Sequence, residues 1–228
     1  DFQIDLLRHI EQRAPEVPVP RVLADRDGGL RSLYRASDGT DRIVRVVSYL
    51  EGTPLDSTTS SPVERERVGE ILARLRLATA DFSHPGEDRV LAWDVQHLMQ
   101  LAPLLSGIDD ADQRRRLEMA LDRFARVTTG LDRLRRQVLH NDFSRSNIVV
   151  DHANPAFVNG IIDFGDAVRT AIAVDVSTAL LNQLPVTPED DAFAAGRDLL
   201  RGYLAFADLT VDELAMIPHL TMGRAIAR

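Results

Sequence analysis

Residues 137–147 read Gln137-Val138-Leu139-His140-Asn141-Asp142-Phe143-Ser144-Arg145-Ser146-Asn147, and residues 160–166 read Gly160-Ile161-Ile162-Asp163-Phe164-Gly165-Asp166. In both stretches a short apolar run ends abruptly in polar, turn-forming residues. The runs Gln137 to His140, Asn147 to Asp151 and Gly160 to Phe164 read as short strands around polar loops. Asp142, Asn147 and Asp163 therefore stand where strands meet loops, the places where a rigid scaffold presents reactive side chains.

Their spacing is specific. His140, Asp142 and Asn147 fit the pattern H-x-D-x-x-x-x-N, and Asp163 opens a D-F-G triplet sixteen residues after Asn147. Phosphoryl transfer needs a carboxylate beside the acceptor hydroxyl and oxygen ligands that hold Mg2+ against nucleotide phosphates. Asp142 suits the first task, as the catalytic base. Asn147 and Asp163 suit the second, because Mg2+ prefers hard oxygen donors and keeps waters and phosphate oxygens in its shell. The local alternative is that Asp142 and Asn147 cap turns while Asp163 ends a strand. His140 is either a general base or, at the head of its motif, a residue that holds the loop by hydrogen bonds. Asp166 either orients the loop or faces the acceptor, and Asp175 is a further candidate that otherwise caps the helix from Val174 onward.

Upstream, Phe2, Leu6, Leu7 and Ile10 share one face of a helix that the Pro15 to Pro20 stretch ends. Three strand-like runs follow, Val19 to Ala24, Leu30 to Ala36 and Arg42 to Leu50. The turns Asp27-Gly28-Gly29 and Ser37-Asp38-Gly39 separate them, and together they predict an antiparallel meander. Glu51-Gly52-Thr53-Pro54 breaks the last run, and a Ser/Thr-rich stretch leads to a helix whose Val68, Ile71, Leu72 and Leu75 share a face. Residues 94–134 are helical in pattern, and the tail returns to helices from Ala173. The last helix reaches Arg228 without a Gly or Pro stop, so the chain is expected to continue beyond it.

With 44% hydrophobic and 27% charged residues, the 228-residue chain has the balance of an ordinary globular protein that buries a core. Its net charge of -8, without a basic block, argues against nucleic acid as a partner. No apolar run is long enough to span a bilayer and no signal-peptide pattern opens the chain, so no membrane partner and a cytoplasmic location are expected. There is no cysteine, which excludes disulfides and thiolate chemistry. All 27 basic residues are arginine, which excludes a lysine phosphate anchor within these residues.

The segments His140 to Asn147 and Ile161 to Asp166 resemble the aminoglycoside phosphotransferase, choline kinase and homoserine kinase superfamily. Val17 to Arg21, Ser48 to Gly52, Ala92-Trp93-Asp94, Gln137 to Asp142 and Gly160 to Ala167 are similar to hydroxylysine kinase and its bacterial relatives, a likeness spanning roughly residues 1–185. The resemblance implies an α+β, bilobal protein-kinase-like fold. Residues 1–51 would form the remainder of the N-terminal lobe, and residues 52–228 a helical C-terminal lobe. It further implies Mg2+ and ATP or GTP as phosphoryl donor, with a small amine or amino alcohol as acceptor: hydroxylysine-like, or aminoglycoside-, choline- or homoserine-like. Backbone groups at Ser48, Tyr49 and Leu50 would meet the purine base, unless they form only an edge strand and turn. Trp93 and Asp94 would supply a wall and an anionic contact for a cationic acceptor, or else a core tryptophan with a helix-capping aspartate. The family's Gly-rich loop and strand lysine have no counterpart here, and Gln3 falls near the place of the lysine's glutamate partner. The sequence is therefore expected to begin inside the domain. A non-catalytic nucleotide-binding or protein-interaction module of the same fold is the competing class, and oligomeric state is left open.

Overall fold

The structure, a computed structural model, describes residues 1–185 and 191–227; Arg228, where continuation was expected, lies outside them. Helix α1 (Phe2–Arg13) is capped by the Asp1 carboxylate, which accepts the Gln3 N–H. It buries Ile4, Leu6, Leu7 and Ile10. Phe2 is only partly covered and packs edge-on against Phe82, with ring centroids 5.9 Å apart.

The next four strands do not form the expected meander. Strands β2 (Ser32–Arg35) and β3 (Asp41–Val44) make a hairpin, but β1 (Val22–Leu23) pairs with β4 (Val46–Val47) on the return arm. The cause lies in the Asp25 loop. The Asp25 carboxylate accepts the N–H groups of Asp27 and Gly29, and the Asp25 N–H donates to the Gly29 carbonyl. That loop closes on itself, so β1 and β2 continue along one arm of a ribbon instead of reversing into a pair. The actual reversal uses Gly39 at φ 81°, where a side chain would be strained. The ribbon leaves Leu33, Tyr34, Ile43 and Val46 exposed.

Strand β5 (Thr53–Pro54), which the sequence pattern did not reveal, pairs with β7 (Ile148–Val150), and β7 pairs with β8 (Val158–Ile161). Helix α2 (Pro62–Ala78) starts as its sequence dictates: Ser61 and Glu64 form a capping box and Pro62 takes the first turn. The 94–134 region is helical as expected, but it opens as a 3-10 run (Val95–Gly107) before α3 (Ala111–Ala125) and α4 (Thr128–Leu131). Pro103 lies inside that run, where its missing N–H disfavours a regular α-helix.

Strand β6 (Arg136–Leu139) pairs antiparallel with β9 (Val168–Ala171). The β7–β8 pair is thus nested within the β6–β9 pair, which brings loop 140–147 alongside loop 162–167. Helices α5 (Ile172–Leu181), α6 (Ala194–Leu204) and α7 (Val211–Ile226) complete the described residues. The main cluster runs from Leu6 and Ile10 through Leu72, Leu98, Phe124 and Ile161 to Leu199 and Leu220. No helix among the described residues is long and apolar enough to cross a membrane.

Two glycines set how closely α2 and α6 cross. A Cβ on Gly69 would stand 1.9 Å from the Leu199 carbonyl oxygen, and one on Gly202 would stand 1.9 Å from that of Glu66. Backbone meets backbone at both points, so no side chain can swing aside. Gly69→Ala is expected to lower stability by about 1–3 kcal/mol, the usual cost of overpacking. Urea denaturation of the variant beside the parent checks this, and an unchanged midpoint would show that the crossing is loose.

Candidate active site

The two loops are tied through the backbone of one residue. The Ile162 N–H donates to the Asn147 carbonyl at 2.9 Å, and the Ile162 carbonyl accepts His140 Nε2 at 2.9 Å. With its Nε2 proton committed there, His140 offers Nδ1 as an acceptor to the Asp142 N–H at 3.3 Å. Its ring packs edge-on against Phe164, with centroids 4.8 Å apart, and against Phe143. Both ring nitrogens of this buried histidine are thus spent on loop backbone, which is the loop-holding alternative for His140.

Asp142 is further constrained through its side chain and carbonyl. Its Oδ2 accepts Asn147 Nδ2 at 3.0 Å and lies 3.5 Å from Ser144 Oγ. Its carbonyl accepts a second bond from Asn147 Nδ2 at 3.0 Å. Its Oδ1 accepts Arg224 from α7 at 2.9 Å. Asn141, just before it, has a φ of 64°, and its N–H donates to the Asp175 carboxylate at 2.9 Å. The left-handed backbone turns the chain sharply out of β6, and Asp175 holds that turn from the first helical turn of α5.

Asp163 is also left-handed, with φ 61° and ψ 66°, and its carboxylate accepts the Gly165 N–H at 3.1 Å. Such geometry is costly for a residue with a Cβ and is concentrated at functional sites. Arg89 donates to the Gly165 and Ala167 carbonyls, bracing the turn from outside. An Asn147 amide that gives Nδ2 to Asp142 has Oδ1 left for other partners. Asp163 and Asn147 therefore offer one carboxylate and one amide oxygen. Among the described residues no group of three His, Cys, Asp or Glu assembles to hold a metal unaided. This donor set fits an ion such as Mg2+, which completes its shell with water and nucleotide phosphates.

On the other side of Asp142 lies a cavity of about 670 Å³ whose lining includes Trp93, Asp142, Asp166, Leu181 and Arg224. Trp93 Nε1 donates to Asp166 Oδ2 at 2.9 Å, joining two residues far apart in sequence. Burial pushes the Asp166 carboxyl above its ordinary range, and the nearby Asp142 and Asp163 charges add to the rise. Asp94, by contrast, is 1% exposed and does not line this cavity. Its carboxylate accepts the Gln96 N–H and side chain and the Thr170 hydroxyl, so it caps the 3-10 run and is not placed to touch an acceptor there. Ser48, Tyr49 and Leu50 stand apart from the cavity as well. The Ser48 N–H and Oγ are both engaged by Arg21, Tyr49 is 84% exposed, and Leu50 packs on Gly160. Gln3 meets Arg45 by a side-chain hydrogen bond.

Sequence reasoning missed Arg224 altogether. It lies 82 positions from Asp142 in an unremarkable helical stretch, and only the packing of α7 delivers it. The same reasoning left Asp175 between a site candidate and a helix cap, whereas in the structure that side chain holds the Asn141 N–H.

Burial pushes the Asp175 carboxyl up to about 6; the His140 ring and the Asn141 N–H act in the opposite direction. A carboxyl raised above its ordinary value of 3.8 binds more protons folded than unfolded between those two values. Its favourable contribution is therefore complete below about pH 4 and is lost as pH rises through about 6. In Asp175→Asn that loss disappears, so the variant should gain stability relative to the parent as pH rises across this window. Urea midpoints for both proteins between about pH 4 and pH 7 check the sign. A difference that does not vary with pH would contradict it.

With this geometry the chain matches known proteins over nearly its whole length. It is 24% identical over 221 residues to hydroxylysine kinase of Mus musculus, covering 92% of this chain and 58% of that protein. It is 30% identical over 219 residues to homoserine kinase of Methylobacillus flagellatus, covering 95% and 63%. The chain thus spans about three fifths of the length of these curated relatives. Among solved structures, an amicoumacin kinase in complex with AMP-PNP and Ca2+ superposes with a TM-score of 0.74 at 20% identity, covering 99% of this chain and 67% of that one. A microcompartment-associated aminopropanol kinase superposes with a TM-score of 0.73 at 21% identity, covering 98% and 72%. The fold is therefore kinase-like, as the mixture of helices and short strands also indicates. The model of the phosphotransferase enzyme family (APH) matches residues 1–214, and the chain belongs to that family.

Proposed function

We propose that this chain carries the acceptor and metal sites of an Mg2+-dependent phosphotransferase that moves the γ-phosphoryl group of ATP or GTP to a hydroxyl of a small amine or amino alcohol. The observation that carries the reading is the placement of Asp142: its carboxylate lines the 670 Å³ cavity while hydrogen bonds through Asn147 and Ile162 tie it to the Asp163 turn. Asp142 receives the proton of the acceptor hydroxyl. Asp163 and Asn147 would hold Mg2+, which neutralises charge on the donor phosphates. His140 keeps the loop in register.

The acceptor class follows from two supports. Asp56, Asp142 and Asp166 line the cavity beside Arg145 and Arg224, and carboxylates in excess along a concave surface raise the local concentration of an ammonium group. The relatives with hydroxylysine, homoserine and aminopropanol in their names indicate acceptors that pair an amine with a hydroxyl. Within this reading, residues 1–51 belong to the small lobe and residues 52–228 to the large one. The base of the nucleotide lies near Ser48 to Leu50, where Tyr49 and Leu50 keep backbone groups to offer.

In the intact protein, Asp142→Asn should lower turnover by about 10²–10⁴-fold, the range for lost general-base help. Nucleotide binding should barely change. A panel of amino alcohols with ATP and GTP, followed by nucleoside diphosphate release, measures the first. Turnover close to that of the parent would remove Asp142 from the role. Asp163→Ala should abolish the Mg2+ dependence of nucleotide binding seen by calorimetry, and unaltered Mg2+-nucleotide affinity would contradict that assignment. Asn147→Ala should weaken binding less and rate more, because the carboxylate ligand stays in place.

A further inference from the structure

Arg224 is 5% exposed, and burying a guanidinium is costly unless its N–H groups find partners. One terminal nitrogen donates to Asp142 Oδ1 at 2.9 Å and the other to the Trp93 carbonyl at 2.6 Å. The side chain therefore bridges the loop carrying Asp142 and the cavity wall made by Trp93. Its place is set by the residue before it. A Cβ on Gly223 would stand 2.8 Å from Val95 Cγ1 and 2.9 Å from Phe124 Cε2, so α7 lies hard against the core at that point. The arginine has little room to withdraw.

The two oxygens of Asp142 are thereby distinguished. Oδ1 is held by a permanent cation, whereas Oδ2 is met only by the Asn147 amide and, at 3.5 Å, the Ser144 hydroxyl. Exchanging a neutral donor for an acceptor hydroxyl costs less than breaking a partly buried ion pair. The Arg224 charge also opposes the mutual repulsion of Asp142, Asp163 and Asp166, which stand close enough to affect one another.

We propose that Arg224 is a positioning residue for phosphoryl transfer, which by holding Asp142 Oδ1 leaves Oδ2 as the oxygen that meets the acceptor hydroxyl. In the transfer the acceptor oxygen bonds to phosphorus and its proton passes to Oδ2. The bond from phosphorus to the bridging donor oxygen breaks, and the nucleoside diphosphate leaves with the electron pair. The inference rests on the reading of Asp142 as the base.

A double-mutant cycle in the intact protein tests it, using Arg224→Gln, Asp142→Asn and the pair together. Arg224→Gln alone should lower kcat by about tenfold to hundredfold, the scale on which a misplaced catalytic group costs rate. The KM for nucleotide should stay within about twofold, since Arg224 acts on Asp142 and not on the donor. In the Asp142→Asn background the same substitution should cost almost nothing. Additive losses in the cycle would overturn the inference while leaving Asp142 as base, and an unimpaired Asp142→Asn would instead overturn the functional reading itself. Should Arg224→Gln prove unstable, Arg224→Ala with added guanidinium at non-denaturing concentration replaces it. Rescue of kcat by guanidinium, absent in Arg224→Ala/Asp142→Asn, supports positioning, and lack of rescue in a folded variant refutes it.

Discussion

The Ile162 backbone is the point on which the site hangs. Its N–H and carbonyl are claimed from opposite sides by Asn147 and His140, the two ends of the motif loop. Backbone groups partly covered between two loops gain from being paired, and here both pairings serve to fix one loop against the other. Because Ile162 follows β8 and leads directly into Asp163, any slip of β8 against β7 would move the Asp163 carboxylate away from Asn147. The register of that pair, Ile148 opposite Ile161, thus sets where Asp163 stands relative to Asn147.

Around this link the protein accumulates features that ordinary loops avoid. Asn141 and Asp163 both have positive φ without being glycine. Asp142 and Asp163 act on Asp166, and Asp142 also acts on the buried Asp175, all over a short span. Such strain and repulsion persist only where surrounding structure overdetermines them. Here that structure is the buried Arg224, the Arg89 brace and the N–H groups of Asn141 and Gly165. The backbone contact of α2 with α6 and the close approach of α7 to Phe124 make the scaffold behind them rigid. The N-terminal ribbon has no comparable support, and its apolar residues remain exposed.

The sequence by itself determined the local chemistry of this protein. The strand that ends at Leu139 and the apolar faces of α1 and α2 are consequences of periodicity within a few residues and stand in the structure, whereas the strand read over Gly160 to Phe164 runs instead over Val158–Ile161, with Phe164 opening a 3-10 turn. The motif spacing likewise places Asp142, Asn147 and Asp163 in connected loops. Tertiary structure decided everything that depends on residues meeting across the chain. It turned the expected meander into a ribbon, because the Asp25 loop closed locally and β1 found its partner beyond the hairpin. It sent Asp94 into the core, since a capping aspartate and an acceptor ligand look alike in a linear sequence. It also brought Arg224 to Asp142, for side chains on distant elements meet only through how helices pack, and no local pattern encodes that packing.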